Sequence, residues 1–368
     1  MEQLLVLNPG STSTKLAIFK GEEEVWVDLI KHPVSQLEQF RKIIDQLEWR
    51  QNLILQAVNA AGYRLSDFDC FVARGGAGLD PITGGTYWID QAMVDDLAQG
   101  KNAEHASNLA GIIAYSLGKE YQKSALTVDP VAVDEFEPLA RLSGLPELPR
   151  RCQSHALNLK AIARKVAEIR EEKLTEINLV GVHLGGGISV AALRGGKIID
   201  VNNANQGGPY SPERAGSLPV VDLVNYIYQQ QPRLEDFKKR LLGRGGLSAY
   251  LSTNDGLTIE QKIANGEQFF EYVYQGMIYQ IAKEIGAMAT VLAGQLTAIF
   301  LTGGLAHSSY VVNGIKARVS FIAPVYVFPG AEEMKHLLSG ALRVLRGEEK
   351  GKKYQEEKVK PTKLVQDK

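Results

Sequence analysis

Residues 4–19 read LLVLNPGSTSTKLAIF, and this stretch decides the fold. Two hydrophobic runs flank a turn of small and hydroxyl-bearing residues, a pattern that predicts a β-hairpin. A second stretch of the same kind, residues 179–193, reads LVGVHLGGGISVAAL, and Gly10 aligns with Gly185. A repeat at about half the chain length predicts two similar domains that each open with this hairpin.

The residues after each hairpin are repeated as well. Lys20-Gly21-Glu22 aligns with Gly195-Gly196-Lys197. Both hairpin turns carry backbone N–H groups and hydroxyls without bulky side chains, so a polyphosphate can approach the main chain closely. Two such turns facing each other would grip one nucleotide from both sides.

Composition and charge exclude several classes of protein. The chain has 368 residues, of which 45% are hydrophobic and 23% charged, enough for two domains with full cores. A net charge of -1 provides no bulk field for nucleic acid or an anionic membrane, so neither partner is expected. Cys70 and Cys152 have no metal-binding spacing, which favours a reduced, cytoplasmic protein. No apolar run is long enough for a membrane span, and we expect no signal peptide.

Alternating strand and helix patterns predict an α/β protein. Strands are predicted at residues 4–8, 14–20, 24–30, 68–73, 125–128, 298–301 and 325–328, with the repeated hairpin at 177–202. Apolar periodicity predicts helices at 33–50, 105–121, 154–168, 269–292 and 331–346. Residues 138–150 are expected to form an irregular connector, and the Lys- and Glu-rich tail from Gly347 is expected to fray.

Short motifs follow one another in order along nearly the whole chain. They begin at Asn8, Arg74, His105, Asp129, Ser154, His183, Glu213, Thr302 and Pro329, and read NPGSTSTK, RGG, HASN, DP, SHALN, HLGGG, ERAG, TGG and PGAEEM. Each motif alone is nonspecific, but in this order they resemble the butyrate kinases, within the acetokinase family of the actin-like ATPase and sugar-kinase superfamily.

The resemblance implies both a fold and a reaction. The fold is two duplicated actin-like (ribonuclease H-like) α/β domains with a nucleotide cleft between them. We expect an N-terminal domain at residues 1–155, with 347–368 packing back on it, and a nucleotide-binding domain at 156–346. The reaction is reversible, in-line transfer of phosphoryl from ATP to a short-chain fatty acid, yielding an acyl phosphate and ADP, with Mg²⁺.

Two arginines fit this chemistry. A carboxylate must approach a phosphorus surrounded by anionic oxygens, so cations are needed where the two anions meet. Arg74 and Arg214 each lie beside glycines, one in each half of the chain. A guanidinium holds carboxylate or phosphoryl oxygens bidentately. The alternative is that each arginine forms a surface ion pair.

Three histidines match family positions. His155 matches the catalytic histidine, whose expected role is a hydrogen bond to an equatorial oxygen of the transferring phosphoryl group. No general base is needed, because the substrate acid is already ionised at neutral pH. His105 and His183 match further family histidines, and the alternative for each is a buried, hydrogen-bonded imidazole. Structural or solvated roles are expected for His32, His307 and His336.

The expected metal ligands are carboxylates, because Mg²⁺ prefers hard oxygen donors. Asp129 closes a predicted buried strand and matches the family aspartate near the metal. Glu332 matches the metal-associated glutamate near the C-terminus. The alternative for Glu332 is that it compensates the partial positive charge at a helix N-terminus.

The nucleotide is expected to contact three segments. The resemblance assigns the first phosphate turn to Asn8, Ser11 and Lys15, and the second to Gly185, Gly186 and Gly187. It assigns the adenosine-binding turn to Thr302, Gly303 and Gly304. Because a strand follows the second turn, the pattern differs from a dinucleotide-binding fingerprint, and no GxxxxGK[ST] loop occurs.

The chain departs from the acetate kinase pattern at Gly186, which replaces an asparagine, and at Ser154, where an aromatic residue is frequent. The Asn8-Pro9-Gly10 and PGAEEM signatures resemble the butyrate kinases more than the acetate kinases. Propionate, butyrate, isobutyrate and valerate all remain candidate substrates, since one methylene changes binding by only about 1–3 kcal/mol. Acetate kinase, sugar kinase and actin-like ATPase activities are the alternatives, and the paired arginines favour an anionic acceptor. The long apolar helix at 269–292 offers a surface for a homo-oligomer.

Overall fold

The computed structural model describes residues 1–359. Its strands are β1 (Gln3–Pro9), β2 (Ser13–Lys20), β3 (Glu23–Lys31), β4 (Cys70–Ala73), β5 (Thr86–Trp88), β6 (Ser124–Val128), β7 (Asn178–Leu184), β8 (Ile188–Arg194), β9 (Lys197–Val201), β10 (Ala298–Gly303), β11 (Val325–Pro329) and β12 (Lys352–Lys353). Its α-helices are α1 (Val34–Leu37), α2 (Leu47–Ala60), α3 (Gln91–Gln99), α4 (Ser107–Tyr121), α5 (Ala156–Ile169), α6 (Val220–Gln230), α7 (Leu234–Leu242), α8 (Leu247–Leu251), α9 (Gly256–Ala264), α10 (Gln268–Val291), α11 (Ser309–Val319) and α12 (Glu333–Leu345).

The chain forms two compact units. The first comprises Met1–Asp134 together with the segment that begins at Glu332, and the second comprises Glu135–Ala331. The sequence had suggested domains at 1–155 and 156–346, whereas here α12 lies in the first unit. A methyl group added at Gly340 of α12 would lie 2.3 Å from Val128, so this helix packs tightly on β6.

Both units contain the same arrangement of five strands. The first sheet has the order β12-β5-β6-β4-β1-β2-β3, and the second has the order β11-β10-β7-β8-β9. β1, β4 and β6 are parallel, as are β7, β10 and β11, and an antiparallel hairpin extends each sheet. The predicted duplication and the α/β class are therefore confirmed.

The duplication includes an irregularity. The register between the second and third strands shifts between Ile18 and Phe19 in the first unit, and between Ala192 and Leu193 in the second. A β-bulge at the corresponding place increases the local twist of both hairpins in the same way.

The two hairpin turns differ in length. In the first hairpin four residues, 10–13, lie between the last paired residues Pro9 and Thr14, whereas in the second hairpin three residues, 185–187, lie between Leu184 and Ile188. The difference in residue number between equivalent positions of the two hairpins is therefore one smaller after the turn than before it. Gly21 corresponds to Gly195, not to Gly196 as the sequence alignment had it. Gly21 and Gly195 have φ values of 58° and 56°, a left-handed conformation that glycine adopts without strain.

Each unit has its own core. In the second unit the inner face of α10 packs on β7, β8 and β9, with Met277, Ile281 and Ile285 fully buried. In the first unit α4 packs on β4 and β6. The parallel strands are covered on both sides, so they appear in the sequence as continuous apolar runs.

The predicted helix at 33–50 is wrong. The segment is not one continuous helix, since Val34–Leu37 is a short α-helix, Ile44–Gln46 is a 3-10 turn, and α2 begins at Leu47 and continues to Ala60. Tertiary contacts override the apolar periodicity, since the ring of Phe40 packs 5.5 Å from that of Trp49 and the Ile43 N–H donates to Glu104.

The tail is ordered as far as residue 359, in contrast to the expected fraying. β12 pairs with β5, and Tyr354 is fully buried, with its hydroxyl donating to Asp96 at 2.6 Å. Residues of this segment thus contact β5 and Asp96 of the first unit, while 360–368 lie outside the described residues. Across residues 1–359, no helix combines the length and apolarity needed to span a membrane.

Candidate active site

Three neighbouring strands of the first unit lead to predicted site residues. Asn8 lies at the end of β1, Arg74 directly follows β4, and Asp129 directly follows β6. Because these three strands are parallel, their carboxyl ends meet at one edge of the sheet. Ligands of open α/β sheets bind at this edge.

Arg74 and Asn8 hold one carboxylate between them. Arg74 Nη1 forms an ion pair with Glu333 Oε1 at 2.6 Å, and Asn8 Nδ2 donates to Glu333 Oε2 at 2.8 Å. The sequence analysis did not single out Glu333, although the PGAEEM motif contains it. The choice between its two glutamates depends on where α12 begins.

Glu332 has a different environment from the one that the family pattern suggested. It precedes α12 with a φ of 37°, and its carboxylate pairs at 2.8 Å with Lys335, a largely exposed side chain. Its assignment as a metal ligand stays a prediction, and Glu333 is a second candidate carboxylate at the same end of the helix.

Asp129 is buried at the carboxyl edge of the sheet. Its Oδ1 accepts a hydrogen bond from the Gly85 N–H at 2.7 Å, and its φ of 37° is uncommon outside glycine. Within the described part of the chain, no group of three or more His, Cys, Asp or Glu side chains is arranged to hold a metal ion. Mg²⁺ bound to a nucleotide needs only one or two protein carboxylates, so these residue types still suit it.

His105 lies in front of α4. Its Nδ1 accepts a hydrogen bond from the Ser107 N–H at 3.1 Å, so a neutral imidazole carries its proton on Nε2. Removal from water lowers the pKa of His105 first, and the positive charges of Arg74 and Arg50 lower it further. His105 is therefore biased towards the neutral form beside these cations.

Asn108, the last residue of the HASN motif, contacts the segment that follows Arg74. Its Oδ1 accepts from the Gly78 N–H at 3.0 Å, and its Nδ2 donates to the Ala103 carbonyl at 2.9 Å. A methyl group at Gly76 would lie 2.3 Å from Asn108 Oδ1, so glycine is required for this contact. Asn108 is buried and its contacts are structural.

In the second unit, His183 and Thr302 are register partners near the ends of β7 and β10. Gly303 follows with a φ of 92°, and a methyl group there would lie 2.5 Å from the Leu184 carbonyl oxygen. Gly303 and Gly330 exchange two backbone hydrogen bonds of 3.0 Å. The predicted adenosine-binding turn is thus a tightly constrained backbone at the carboxyl edge of this sheet.

The two predicted histidines of this unit are stacked. The ring centroids of His155 and His183 lie 3.8 Å apart, with an interplanar angle of 11°. His155 Nδ1 lies 2.9 Å from the Ser189 hydroxyl, and His183 Nδ1 lies 2.7 Å from Asn158 Oδ1. Two imidazolium charges at this separation would repel each other, so the stack favours at most one proton charge.

Asn158, another residue that the sequence analysis did not assign, orients His183. Its Nδ2 donates to the Ala331 carbonyl at 3.2 Å, so its Oδ1 faces the ring and accepts from His183 Nδ1–H. The tautomer of a neutral His183 is thereby set. The SHALN motif contained this signal, because Asn158 lies on α5 three residues after His155.

Arg214 lies against the glycine turn. A methyl group at Gly187 would lie 2.4 Å from Arg214 Cζ, so only glycine leaves room for the guanidinium. The Gly186 carbonyl accepts from the Ser211 hydroxyl at 2.5 Å and from the Glu213 N–H at 3.3 Å. Burial lowers the pKa of Arg214, and the neighbouring Glu213 opposes this shift.

Glu213 also accounts for a departure from the family pattern. A methyl group at Gly186 would lie 3.1 Å from its carboxylate, so a larger residue there requires the Glu213 side chain to shift slightly. Within each unit, then, predicted residues do meet: Asn8 and Arg74 share a carboxylate, His155 stacks on His183, and Arg214 covers the glycine turn. Ser11 is exposed on the first turn, and Lys15 is exposed on β2, where it pairs with Asn8.

Comparisons with known proteins agree with this geometry. The family model described as "Acetokinase family" matches residues 147–322. Probable butyrate kinase 2 of Caldanaerobacter subterraneus subsp. tengcongensis is 48% identical over 354 residues, covering 96% of this chain and all of that protein. Porphyromonas gingivalis acetate kinase has a TM-score of 0.75 at 15% identity, covering 94% of this chain and 100% of that chain. A propionate kinase from Francisella tularensis subsp. tularensis has a TM-score of 0.71 at 14% identity, covering 92% and 99%.

Two α/β units of the same strand order, each opening with a hairpin, have the fold of the solved acetate and propionate kinases. The similarity to the bacterial relative extends over almost the entire chain. The chain belongs to the acetokinase family, and the resemblance derived from its motifs is confirmed.

Proposed function

We propose that the protein transfers the terminal phosphoryl group of ATP to a short-chain fatty acid, butyrate or a branched analogue, in a reversible reaction. The products are the acyl phosphate and ADP. The proposal is supported by the 48% identity to a probable butyrate kinase over the whole of that relative. It also rests on the side chains at the carboxyl edge of each sheet.

The contact of Arg74 and Asn8 with a carboxylate carries the proposal. Their N–H groups bind the two oxygens of Glu333 at 2.6 and 2.8 Å. A fatty acid presents the same planar anion, and charge-assisted hydrogen bonds of this kind are the strong ones. A sugar hydroxyl would not match a guanidinium in this way.

The chemistry needs no proton transfer. A carboxylate oxygen of the acid forms a bond to the terminal phosphorus while the bond to the bridging oxygen of ADP breaks, and ADP leaves with that electron pair. The acid is already ionised at neutral pH. Catalysis therefore consists of alignment and neutralisation of charge, which Arg74 and Arg214 provide.

Histidine and glycine groups of the second unit complete the proposed charge stabilisation. His155 is the proposed donor to an equatorial oxygen of the transferring group, and the stack on His183 keeps its ring in one orientation. The N–H groups of Gly185–Gly187 are the proposed phosphate contacts, because the missing side chains let oxygens approach the backbone.

Carboxylates of the first unit are the proposed magnesium ligands. Asp129 and Glu332 remain the predicted pair, and Glu333 joins them because of its place beside Arg74. Bound Mg²⁺ would neutralise charge on the β- and γ-phosphates and align them for in-line transfer.

The adenosine is proposed to lie along Thr302, Gly303 and Gly304. Space is open beside Gly304, where nothing lies within 4 Å of an added methyl group. Gly303, in contrast, is packed against Leu184 and sets the path of the backbone. Preferred acid length, a homo-oligomeric state and a cytoplasmic location stay predictions from the sequence.

Hydroxylamine trapping tests the reaction. The protein is incubated with Mg-ATP, hydroxylamine and one acid of a panel running from acetate to hexanoate, with isobutyrate and glucose included. We expect acyl hydroxamate, largest with four-carbon acids and their branched neighbours. ADP release with glucose and no hydroxamate with any acid would indicate a sugar kinase, and ADP release without any acceptor would indicate an ATPase. A maximum at acetate or propionate would instead assign the acetate or propionate kinase alternative.

A further inference from the structure

An arginine that the mechanism does not use lies beneath the first phosphate turn. Arg50 belongs to α2 and is fully buried, with no accessible surface. Burying a guanidinium is costly, and the loss of water lowers the pKa of Arg50 from 12.5 to about 10. A group retained at such a cost calls for a physical explanation.

The guanidinium binds the back of the turn at 10–13. Its Nη1 donates to the Gly10 carbonyl at 2.9 Å and to the Thr14 hydroxyl at 3.2 Å, and its Nη2 donates to the Ser11 carbonyl at 3.1 Å. Gln46 accepts from Nε at 3.0 Å. These partners are neutral oxygens, and among residues 1–359 no carboxylate lies within ion-pair distance of Arg50.

Peptide geometry determines what the front of the turn presents. In a trans peptide the carbonyl and the following N–H point in opposite directions. The Gly10 and Ser11 carbonyls point at Arg50, so the N–H groups of Ser11 and Thr12 point away from it. Neither N–H has a hydrogen-bond acceptor within the described chain, and both residues are exposed. Successive N–H groups of this kind form an anion-binding nest.

The charge behind this nest is not neutralised locally. His32, which contacts Thr14 at 2.8 Å, is itself buried, and both burial and Arg50 lower its pKa to about 4. His32 is therefore neutral at pH 7. The positive charge of Arg50 also contributes to the lowered pKa of His105, so its field extends to a predicted site residue.

We propose that Arg50 is a positioning residue for the phosphates of the nucleotide. It holds the Ser11 and Thr12 N–H groups towards the ligand and adds an uncompensated positive charge behind them. This inference rests on the proposed kinase function for the identity of the anion. The competing explanation is that Arg50 only stabilises the first unit.

Two variants and a control distinguish these explanations. Arg50→Lys keeps the charge with fewer, differently directed donors, and Arg50→Gln removes the charge. Arg343→Gln in the same unit is the control, since it breaks the ion pair with Glu349 without contact to the turn. Melting temperature and circular dichroism identify the variants that remain folded.

Kinetics and amide spectra are then compared. We expect the KM for Mg-ATP to rise roughly tenfold in Arg50→Lys and roughly a hundredfold in Arg50→Gln, in line with the loss of hydrogen bonds to a charged group. The KM for the acid should change less than about twofold. The magnesium complex of the β,γ-imido analogue of ATP should shift the Ser11 and Thr12 amide resonances in the wild type and the control, and much less in Arg50→Lys.

Unchanged KM values in folded Arg50 variants would overturn the proposal. So would a fall in kcat alone with both KM values intact, because that result describes a smaller active fraction. If the wild type forms no acyl hydroxamate, the proposed function fails, but the amide shifts still decide the role of Arg50. Shifts that persist in both Arg50 variants would show that the turn needs no support from this residue.

Discussion

The two hairpins share a frame and differ at their turns. Strand order and the position of the β-bulge agree in both units. The first turn has hydroxyl-bearing residues at 11–13 and is held from behind by the buried Arg50. The second turn is the triple glycine at 185–187, and Arg214 packs against it.

This difference shows how one supersecondary unit serves two purposes. In the first unit the arginine binds carbonyls and directs N–H groups outward, so that it acts through the backbone. In the second unit the missing side chains create the room in which Arg214 itself lies. The strands are alike in both units because each core requires them. The turns differ, although each has an arginine guanidinium next to it.

The largest expected effect is on the rate of the proposed reaction, when the arginine of either unit is replaced. Replacing Arg74 or Arg214 with Ala should lower kcat by roughly 10²–10³, because each removes a charged donor to the transition state. Steady-state acyl hydroxamate formation measures this, with Mg-ADP affinity as the control. A folded variant with near-normal turnover would remove that arginine from the site.

The turns themselves can be compared with one substitution in each. Gly187→Ala would place a methyl group 2.4 Å from the Arg214 guanidinium, and we expect activity to fall by about 10²-fold as that group shifts. The matched control is Gly10→Ala, where the nearest atom is 3.6 Å away and activity should change less than about twofold. Equal losses in kcat/KM for the two variants would contradict the distinction between the turns.

The carboxylates of the first unit should affect the metal requirement by a smaller amount. Asp129→Asn and Glu332→Gln should each raise the Mg²⁺ concentration for half-maximal rate by roughly tenfold. Glu333→Gln should do the same if Glu333 rather than Glu332 is the ligand at the start of α12. Magnesium titrations for all three variants decide this, and a change in acid preference with normal magnesium dependence would place these carboxylates in the acyl pocket.

The smallest expected effect concerns the buried polar cluster that only the first turn has. The pKa of His32 is lowered from 6.5 to about 4 by burial and then by Arg50. As the pH falls below 6.5 the unfolded chain takes up a proton that the folded chain rejects, so the free energy of unfolding decreases. We expect a loss of about 1 kcal/mol between pH 7.5 and 6.

Urea unfolding at several pH values measures this loss, and the pH dependence should flatten in His32→Gln. The same slope in the variant would assign the pH dependence to other groups. A matched substitution at the exposed His307 should leave the slope as in the wild type.

Much of the fold followed from local pattern. Strands β1–β3 and the long helix α10 lie within a residue or two of their predicted bounds, because alternation and helical periodicity persist over many residues there. The same reasoning gave a wrong prediction for residues 33–50. There the ring of Phe40 packs against that of Trp49, and the Ile43 N–H donates to Glu104, a residue distant in sequence.

The candidate site was predictable to a similar degree. Motif positions predicted Arg74, His155 and Arg214, and in the structure Arg74 follows β4, His155 precedes α5 and Arg214 lies against the glycine turn. Glu332 and Glu333 are adjacent in the sequence, and which of them contacts Arg74 depends on where α12 begins. Arg50 had no motif at all, because its role depends on a helix reaching beneath a turn that lies about forty residues earlier.

The sequence by itself determined the α/β class, the duplication, the family and the residue types of the two hairpin turns, because these are properties of local pattern and order along the chain. Only the tertiary structure decided that α12 returns to the first unit, that Glu333 meets Arg74, and that Arg50 is buried without a counter-ion. Each of these depends on long-range packing, which sets helix phase and burial and is not encoded in any short stretch.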